Sequence, residues 1–250
     1  MSKDEKKPGS LDVLGLKPLA GAIEHASNKT IDGIGAVLAR ICLPAAEEIG
    51  LALRDRVSMW RAINIAKTIE AAKPLIDKLP NSDKTHAHPR LVHEIVDQAS
   101  WTDDHGLQSM WGGLLASSCS TEGGSQENLL FINILRQLSP IEAMLVRHSV
   151  QTTKKTRTRL GWIVAASHVE ASLADLQTLT SLSDVHQIDL ALDHLRSLSL
   201  IDPETGGFWN DSDRANLTAT SMAMQLYARC EGWKGTLVSF YNLDAPPEPL

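Results

Sequence analysis

The stretch that most restricts the fold is Leu91 to Val146, LVHEIVDQASWTDDHGLQSMWGGLLASSCSTEGGSQENLLFINILRQLSPIEAMLV. Leu107, Met110, Trp111, Leu114 and Leu115 recur at steps of three and one, which puts them on one stripe of a helix. After the Gly123-Gly124 break, Leu130, Ile134, Leu135 and Leu138 repeat that spacing. Ser139-Pro140-Ile141-Glu142 then specifies a new helix start. Ser139 suits the N-cap, Pro140 the first helical position, and Glu142 can reach back to complete a capping box. Two helices are therefore expected to meet a third at a defined corner. A β-sandwich is disfavoured, because aromatic residues make up only 4% of the chain while Leu and Ala are abundant. The expected fold class is mostly α: an N-terminal and central helical bundle followed by a small winged-helix-like α+β module.

Upstream, the first ten residues are Lys-rich with Pro and Gly, and are expected to be a disordered tail. Leu16, Leu19 and Ile23 allow at best a short helix, weakened by Gly15, Pro18 and Gly21. One or two long helices are expected over Thr30 to Ala72, with Ile34, Val37, Leu38 and Ile41 on one stripe and Pro44 as a kink or restart. Ile49, Leu53, Val57, Trp60, Ile63 and Asn64 continue the stripe. Ile31 to Leu53 is the best candidate for a membrane span, but it carries Asp32, Arg40, Glu47 and Glu48. A plain span needs about 20 predominantly apolar residues, so none is expected. Neither is a secretory signal, because Lys17 and Pro18 interrupt the only early apolar run.

Lys73 to Arg90 reads as a linker punctuated by Pro74, Pro80 and Pro89. It carries His86 and His88, with His93 just beyond, but no cysteine or adjacent carboxylate completes a metal set, and no metal or cofactor is expected. Cys42, Cys119 and Cys230 are isolated and odd in number, which fits small core residues in a reducing cytoplasm. Ser100 is expected to cap the next helix, with Asp103 in the capping-box position and Asp104 in its first turn. Trp101 and Trp111 are expected to be core anchors.

The run Gln151 to Arg159, QTTKKTRTR, is the densest positive stretch. Lys154, Lys155, Arg157 and Arg159 are the candidate contacts to a phosphate or an acidic partner, against the plainer reading of a solvated loop or helix end. Farther on, Ser172 to Asp175 can open a short helix carrying Leu173, Leu176 and Leu179. Asp184 can cap a second, with Val185, Ile188, Leu192, Leu195 and Leu198 facing inward. Ser199 to Ile201 is expected as a short strand, Phe208-Trp209 and Leu217 to Thr220 as a wing, and Ser221 to Cys230 as a last helix. This order is that of a winged helix. The second helix offers Asp184, His186, Asp189, Asp193 and His194 against Arg196, and the wing carries Asp202, Glu204, Asp211 and Asp213. Negative charge facing phosphates opposes the main attractive force of DNA binding, and the whole chain has a net charge of -6. A protein-contact or core-extending module is the better reading. The tail from Asp244, DAPPEPL, is expected to be extended. The domain plan is thus 1–10 tail, 11–150 helical domain, 160–235 winged-helix-like domain and 244–250 tail.

Three segments carry a resemblance to a family. LPAAEEIGLALRDRV (Leu43 to Val57), ASWTDDHGLQSMWGGLLASS (Ala99 to Ser118) and FINILRQLSPIEAMLV (Phe131 to Val146) resemble segments of the bacterial Abi-alpha, or abortive infection alpha, family. The signature positions are Glu47, Glu48, Trp101, Asp103, Asp104, Trp111, Ser139, Pro140 and Glu142. The match departs where Glu127-Asn128-Leu129-Leu130 stands in place of a His-Pro before the phenylalanine, and where Glu142 replaces Asp. The resemblance implies a bacterial cytoplasmic protein of phage defence, and it supplies neither a reaction nor catalytic residues. No Ser-His-Asp set, phosphate-binding glycine loop or metal cluster is apparent in the residues. The expectation is a non-enzymatic protein that binds a phage or host protein, with self-association as a further contact. A membrane-surface effector using the N-terminal helices at the inner membrane, nucleic-acid binding through the C-terminal module, and an enzyme using Asp103, Asp104 and His105 are the alternatives.

Overall fold

The computed structural model describes residues 37, 41, 59–121, 125–209 and 212–243. The expected tails, the weak helix near Leu16, most of the long N-terminal helix, Cys42, Glu47 and Glu48 lie outside the described residues. The chain divides into two compact units between Ile132 and Asn133. It is mostly α with a small α+β part.

In the first unit, α1 spans Met59–Asp77, α2 Pro89–Ser100 and α3 His105–Ser118. α4, Leu129–Leu135, carries the dividing line. α1 runs through Pro74 to Asp77, taking in the first five residues of the linker expected from Lys73, and a 3-10 turn at Ser82–Lys84 follows. Ile65, Ile69, Ile76, Leu91, Ile95, Trp111, Leu114 and Leu115 are fully or almost fully buried. At roughly 25 cal/mol per Å² of apolar surface, this burial is the main force holding the three helices together. The seam between α1 and α3 is closed at Gly112. A Cβ there would stand 2.8 Å from the Thr68 carbonyl oxygen, 2.9 Å from the Ala71 Cβ and 2.9 Å from the Ala72 nitrogen.

Most of the buried polar groups in this unit are tied together, although Gln108 Oε1 is buried without a hydrogen-bond partner. Arg61 Nε donates to Ser100 Oγ at 2.8 Å, and its Nη2 pairs with Asp97 Oδ1 at 2.7 Å. Asn64 Nδ2 donates to the Ser100 carbonyl at 3.1 Å. Asn128 Nδ2 donates to Ser118 Oγ at 2.8 Å and Ser117 Oγ at 3.0 Å. Such pairing removes the cost of an unmet buried donor, which is about 1–3 kcal/mol.

Several expectations fail here, among them Trp60, expected on the inner stripe of the long helix but 44% exposed. Ser100 ends α2 rather than capping α3; the N-cap is Asp104, whose Oδ1 accepts from the Leu107 N–H at 2.8 Å. Both positions have an acceptor at workable spacing, and Arg61 claims Ser100. Trp101 is not a core anchor but is 60% exposed, with the Arg61 guanidinium 4.1 Å from its ring centroid. Trp111 is buried as expected. Leu130, expected on the inner stripe, is exposed, whereas Ile134, Leu135 and Leu138 are buried.

In the second unit, α5 spans Pro140–Thr152 and opens as its sequence demands. Ser139 Oγ accepts from the Glu142 N–H at 3.3 Å, and Glu142 Oε2 accepts from the Ser139 N–H at 2.6 Å. β1 (Lys155–Arg157) and β2 (Ile163–Ala165) form an antiparallel hairpin. β3 is Glu170–Ser172, α6 Leu173–Thr180, α7 Val185–Ser197, β4 Gly207–Phe208 and β5 Arg214–Asn216. α8 is Ser221–Cys230, and α9 is the short turn Leu237–Phe240. The second sheet has the order β3-β5-β4, all antiparallel, with Ala171 opposite Ala215 and Phe208 opposite Ala215. α6 has a second capping box, Ser172 with Asp175. Leu176, Ile188, Leu192, Leu195, Leu200, Leu217, Met224 and Leu226 fill the interior.

The strands of this sheet do not fall where a wing is expected. β5 is Arg214–Asn216, not Leu217 to Thr220, and Ser199 to Ile201 is not a strand: Ile201 makes an isolated bridge to Ala219. Val185, at the first turn of α7, is exposed rather than inward. The remaining inward positions of α7 hold, with Leu198 half-buried.

Candidate functional site

The basic run does not form a solvated loop. It folds into the β1–β2 hairpin, whose register places Lys155 opposite Ala165, Thr156 opposite Val164 and Arg157 opposite Ile163. The connection is tightly closed. The Gly161 N–H donates to the Thr158 carbonyl at 2.9 Å, the Thr158 N–H to the Trp162 carbonyl at 2.8 Å, and the Trp162 N–H to Thr158 Oγ1 at 3.0 Å. Gly161 sits at φ 88°, a left-handed conformation that suits a bulge glycine after a tight turn. Arg159 and Leu160 are left at the apex. Leu160 is 85% exposed and Trp162 is 69% exposed.

The four candidate cations do not act alike. Lys154 and Arg159 are exposed, while Lys155 and Arg157 are half-buried. Arg157 lies along the turn, its guanidinium nitrogens 3.7 and 3.8 Å from where a Gly161 Cβ would be. Lys155 Nζ donates to the Val150 carbonyl and sits 5.1 Å from the Tyr241 ring centroid. Burial holds the Lys155 ammonium below its ordinary pKa. It braces the base of the hairpin, where Lys154 is exposed; Arg157 is half-buried along the turn, and Arg159 is exposed at the apex.

A second surface lies on the three-stranded sheet. A cleft of about 390 Å³ is lined by His168, Glu170, Thr205, Trp209, Arg214 and Asn216, among others. Glu170 Oε2 accepts from Arg214 Nε at 2.9 Å across the strands. Asn216 Nδ2 donates to Thr205 Oγ1 at 2.7 Å. Trp209, at the cleft rim, is 56% exposed. Below the sheet, Asp202 Oδ1 accepts from the Glu204 and Thr205 N–H groups, each at 2.9 Å. Burial pushes the Asp202 carboxyl up, but these hydrogen bonds outweigh it and leave the group below the usual carboxylate range.

The outward side of α7 carries His186, Gln187, Leu190 and Asp193, with Leu190 71% exposed. Arg196, the helix's only arginine, donates to the Gly206 carbonyl at 3.1 Å and to Asp193 Oδ1 at 2.6 Å. His194 Nδ1 meets Glu142 Oε1 at 2.5 Å, which ties α7 to the capped start of α5. The outward side of α7 thus combines a paired arginine, acidic residues and an exposed leucine.

The other sequence candidates serve local structure. Asp104 is a cap and Asp103 and His105 are exposed beside it. His88 Nδ1 accepts from the Arg90 N–H at 3.2 Å at the head of α2, His86 bridges to Ser120, and His93 is exposed. Among the described residues, no group of three His, Cys, Asp or Glu side chains is placed to hold a metal ion. No single described helix is long and apolar enough to cross a membrane. The exposed apolar pair at Leu160 and Trp162 was missed in the sequence because the surrounding charge dominates any local average; the signal was the Leu-Gly-Trp step itself.

The family model described as abortive infection alpha matches residues 61–236. No curated protein and no solved structure matches this chain.

Proposed function

The chain belongs to the abortive infection alpha family, and on that premise we propose that it serves phage defence in the bacterial cytoplasm by binding a protein partner rather than by catalysis. The contact surface is the outward side of α7 in a module we read as winged-helix-like, its order being β3, α6, α7, β4, β5 and α8. One observation carries this reading: Leu190 stands 71% exposed among acidic residues on the helix that a DNA-binding relative would present to phosphates. An exposed aliphatic side chain gains free energy by leaving water against another protein, and the flanking carboxylates favour a partner with basic rim residues. Arg196 is already held by Asp193 and the Gly206 carbonyl, so the helix offers a phosphate little net attraction.

A non-catalytic role is supported by how the titratable groups are used. Asp104, Glu142, Asp175 and Asp184 act as helix caps, and Glu170 with Arg214 forms a cross-strand pair. Leu190→Asp in the full chain should abolish protection of cells from phage while leaving the circular dichroism spectrum and melting temperature unchanged. Asp103→Ala with His105→Ala should leave protection intact. The opposite pattern, with Leu190→Asp protecting fully and the Asp103/His105 variant inactive, would favour an enzyme.

A further inference from the structure

We propose that the β1–β2 hairpin is a membrane-surface anchor, seating Leu160 and Trp162 in the interfacial layer of an anionic bilayer while Lys154, Arg157 and Arg159 face lipid phosphates. The proposal is independent of the protein contact at α7.

The hairpin presents its tip in a fixed shape. Three backbone and side-chain hydrogen bonds close the turn from Thr158 to Trp162, and Gly161 adopts the positive φ that the closure requires. The base is held as well: Ile163 is buried, and Ser221 Oγ donates to its carbonyl at 2.6 Å. Lys155 is bound back to Val150 and Tyr241. A preformed loop loses little conformational freedom on binding, so its apolar tip keeps most of the gain from leaving water.

The chemistry at the tip is mixed in a way that selects the occupant. Leu160, at 85%, is the most exposed large apolar side chain among the described residues, and Trp162 is 69% exposed. Arg159 is exposed beside them at the apex, and Lys154 is exposed at the open end of the hairpin, where its carbonyl accepts from the Ala166 N–H at 2.8 Å. Tryptophan is favoured at the headgroup level of a bilayer, where its ring is apolar and its N–H is wet. Apolar insertion and attraction of cations to anionic lipid add, and together produce reversible binding that neither achieves alone. A nucleic acid would satisfy the cations and could stack on Trp162, but it offers Leu160 no apolar layer. The rest of the chain, net negative, would be repelled by either polyanion, so the hairpin supplies the local attraction.

The test is flotation of the full-length protein with vesicles of mixed phosphatidylglycerol and phosphatidylcholine, beside vesicles of phosphatidylcholine alone. The protein should float with the anionic vesicles, weakly with the neutral ones, and less as salt is raised. Leu160→Ser with Trp162→Ser should lower the partition by at least about tenfold, and Lys154→Glu with Arg159→Glu should remove the preference for anionic lipid. Trp162→Phe should still float but lose the quenching of tryptophan fluorescence by brominated lipid, a readout that holds even if the double serine variant folds poorly. Absence of flotation, or flotation unchanged in the double serine variant with quenching unchanged in Trp162→Phe, would overturn the proposal. So would a salt-sensitive gel shift with DNA or RNA that Lys154→Glu/Arg159→Glu abolishes in a protein that ignores vesicles.

Discussion

The two units weight the boundary between apolar and polar differently. In the first, polar side chains go inside and most are paired: Arg61 with Ser100 and Asp97, and Asn128 with Ser117 and Ser118. In the second, apolar side chains come out farther: Leu160, Trp162, Leu190 and Trp209 are 56% to 85% exposed, against 44% to 60% for Trp60, Leu130 and Trp101 in the first. A buried, satisfied polar network fixes one arrangement of helices, because any shift would strand a donor in a low-dielectric interior. An exposed apolar side chain does nothing for its own unit and costs free energy in water. The first pattern holds helices in place, and the second leaves apolar area in water on which the proposed contacts rest. Of the two exposed tryptophans of the first unit, Trp101 is covered on one face by Arg61.

Substitutions at the scaffold should therefore be felt in stability, and those at the surface in binding. The largest effect is expected for Trp111→Ala, which removes a large buried side chain from α3 and should cost about 4 kcal/mol in the melting of the first unit. If calorimetry shows the second unit melting earlier by the same amount, the two units are not separable in this sense. Gly112→Ala should follow, at about 2 kcal/mol, because the new Cβ meets the α1 backbone rather than a yielding side chain. A neutral result in chemical denaturation would mean that the α1–α3 seam opens easily.

The second unit has its own scaffold at the head of α5. Glu142→Ala removes one arm of the capping box and the partner of His194, and should cost about 1.5 kcal/mol. Glu142→Gln, which can still accept from the Ser139 N–H, should recover part of that loss. A smaller effect is expected from acid. The Asp202 carboxyl titrates below the ordinary value of about 3.9, so its folded form favours the charged state. Its contribution is complete above the unfolded pKa and disappears as pH falls through the depressed native value. Asp202→Asn should flatten this part of the stability profile between about pH 5 and pH 2, and an NMR titration of the side chain reads the midpoint directly. Smallest of all, Leu160→Ser should leave thermal stability within about 0.5 kcal/mol of the parent. A larger drop would show that the hairpin tip belongs to the scaffold after all.

What the sequence made legible was set by how local each determinant is. The start of α5 was readable because Ser139, Pro140 and Glu142 act on one another within a single turn. The same holds for Ser172 with Asp175 and for Asp184. The start of α3 was not, because Ser100 and Asp104 are both acceptable caps, and the choice depends on Arg61, 39 residues away from Ser100. Trp101 looked like a core residue by type, yet nothing local could say that a guanidinium would cover it. The β1–β2 hairpin escaped notice because Lys, Thr and Arg carry no apolar alternation, and its pairing is set by the turn at Thr158 to Gly161. β3 was hidden for the same reason: Glu170 to Ser172 becomes a strand only when Arg214 to Asn216 lies beside it.

That last pairing orders events in time. β5 is the middle strand of its sheet, flanked by β3 and β4, yet it is the last of the three to be synthesised. Glu170 must wait some 44 residues for Arg214, and a three-stranded sheet with its centre missing has nothing to pair. The N-terminal unit is free to condense on the ribosome as it emerges, while the C-terminal one stays open until translation has passed Asn216. A nascent chain cut short before that point would lack the middle strand on which β3 and β4 pair, so its C-terminal sheet could not form.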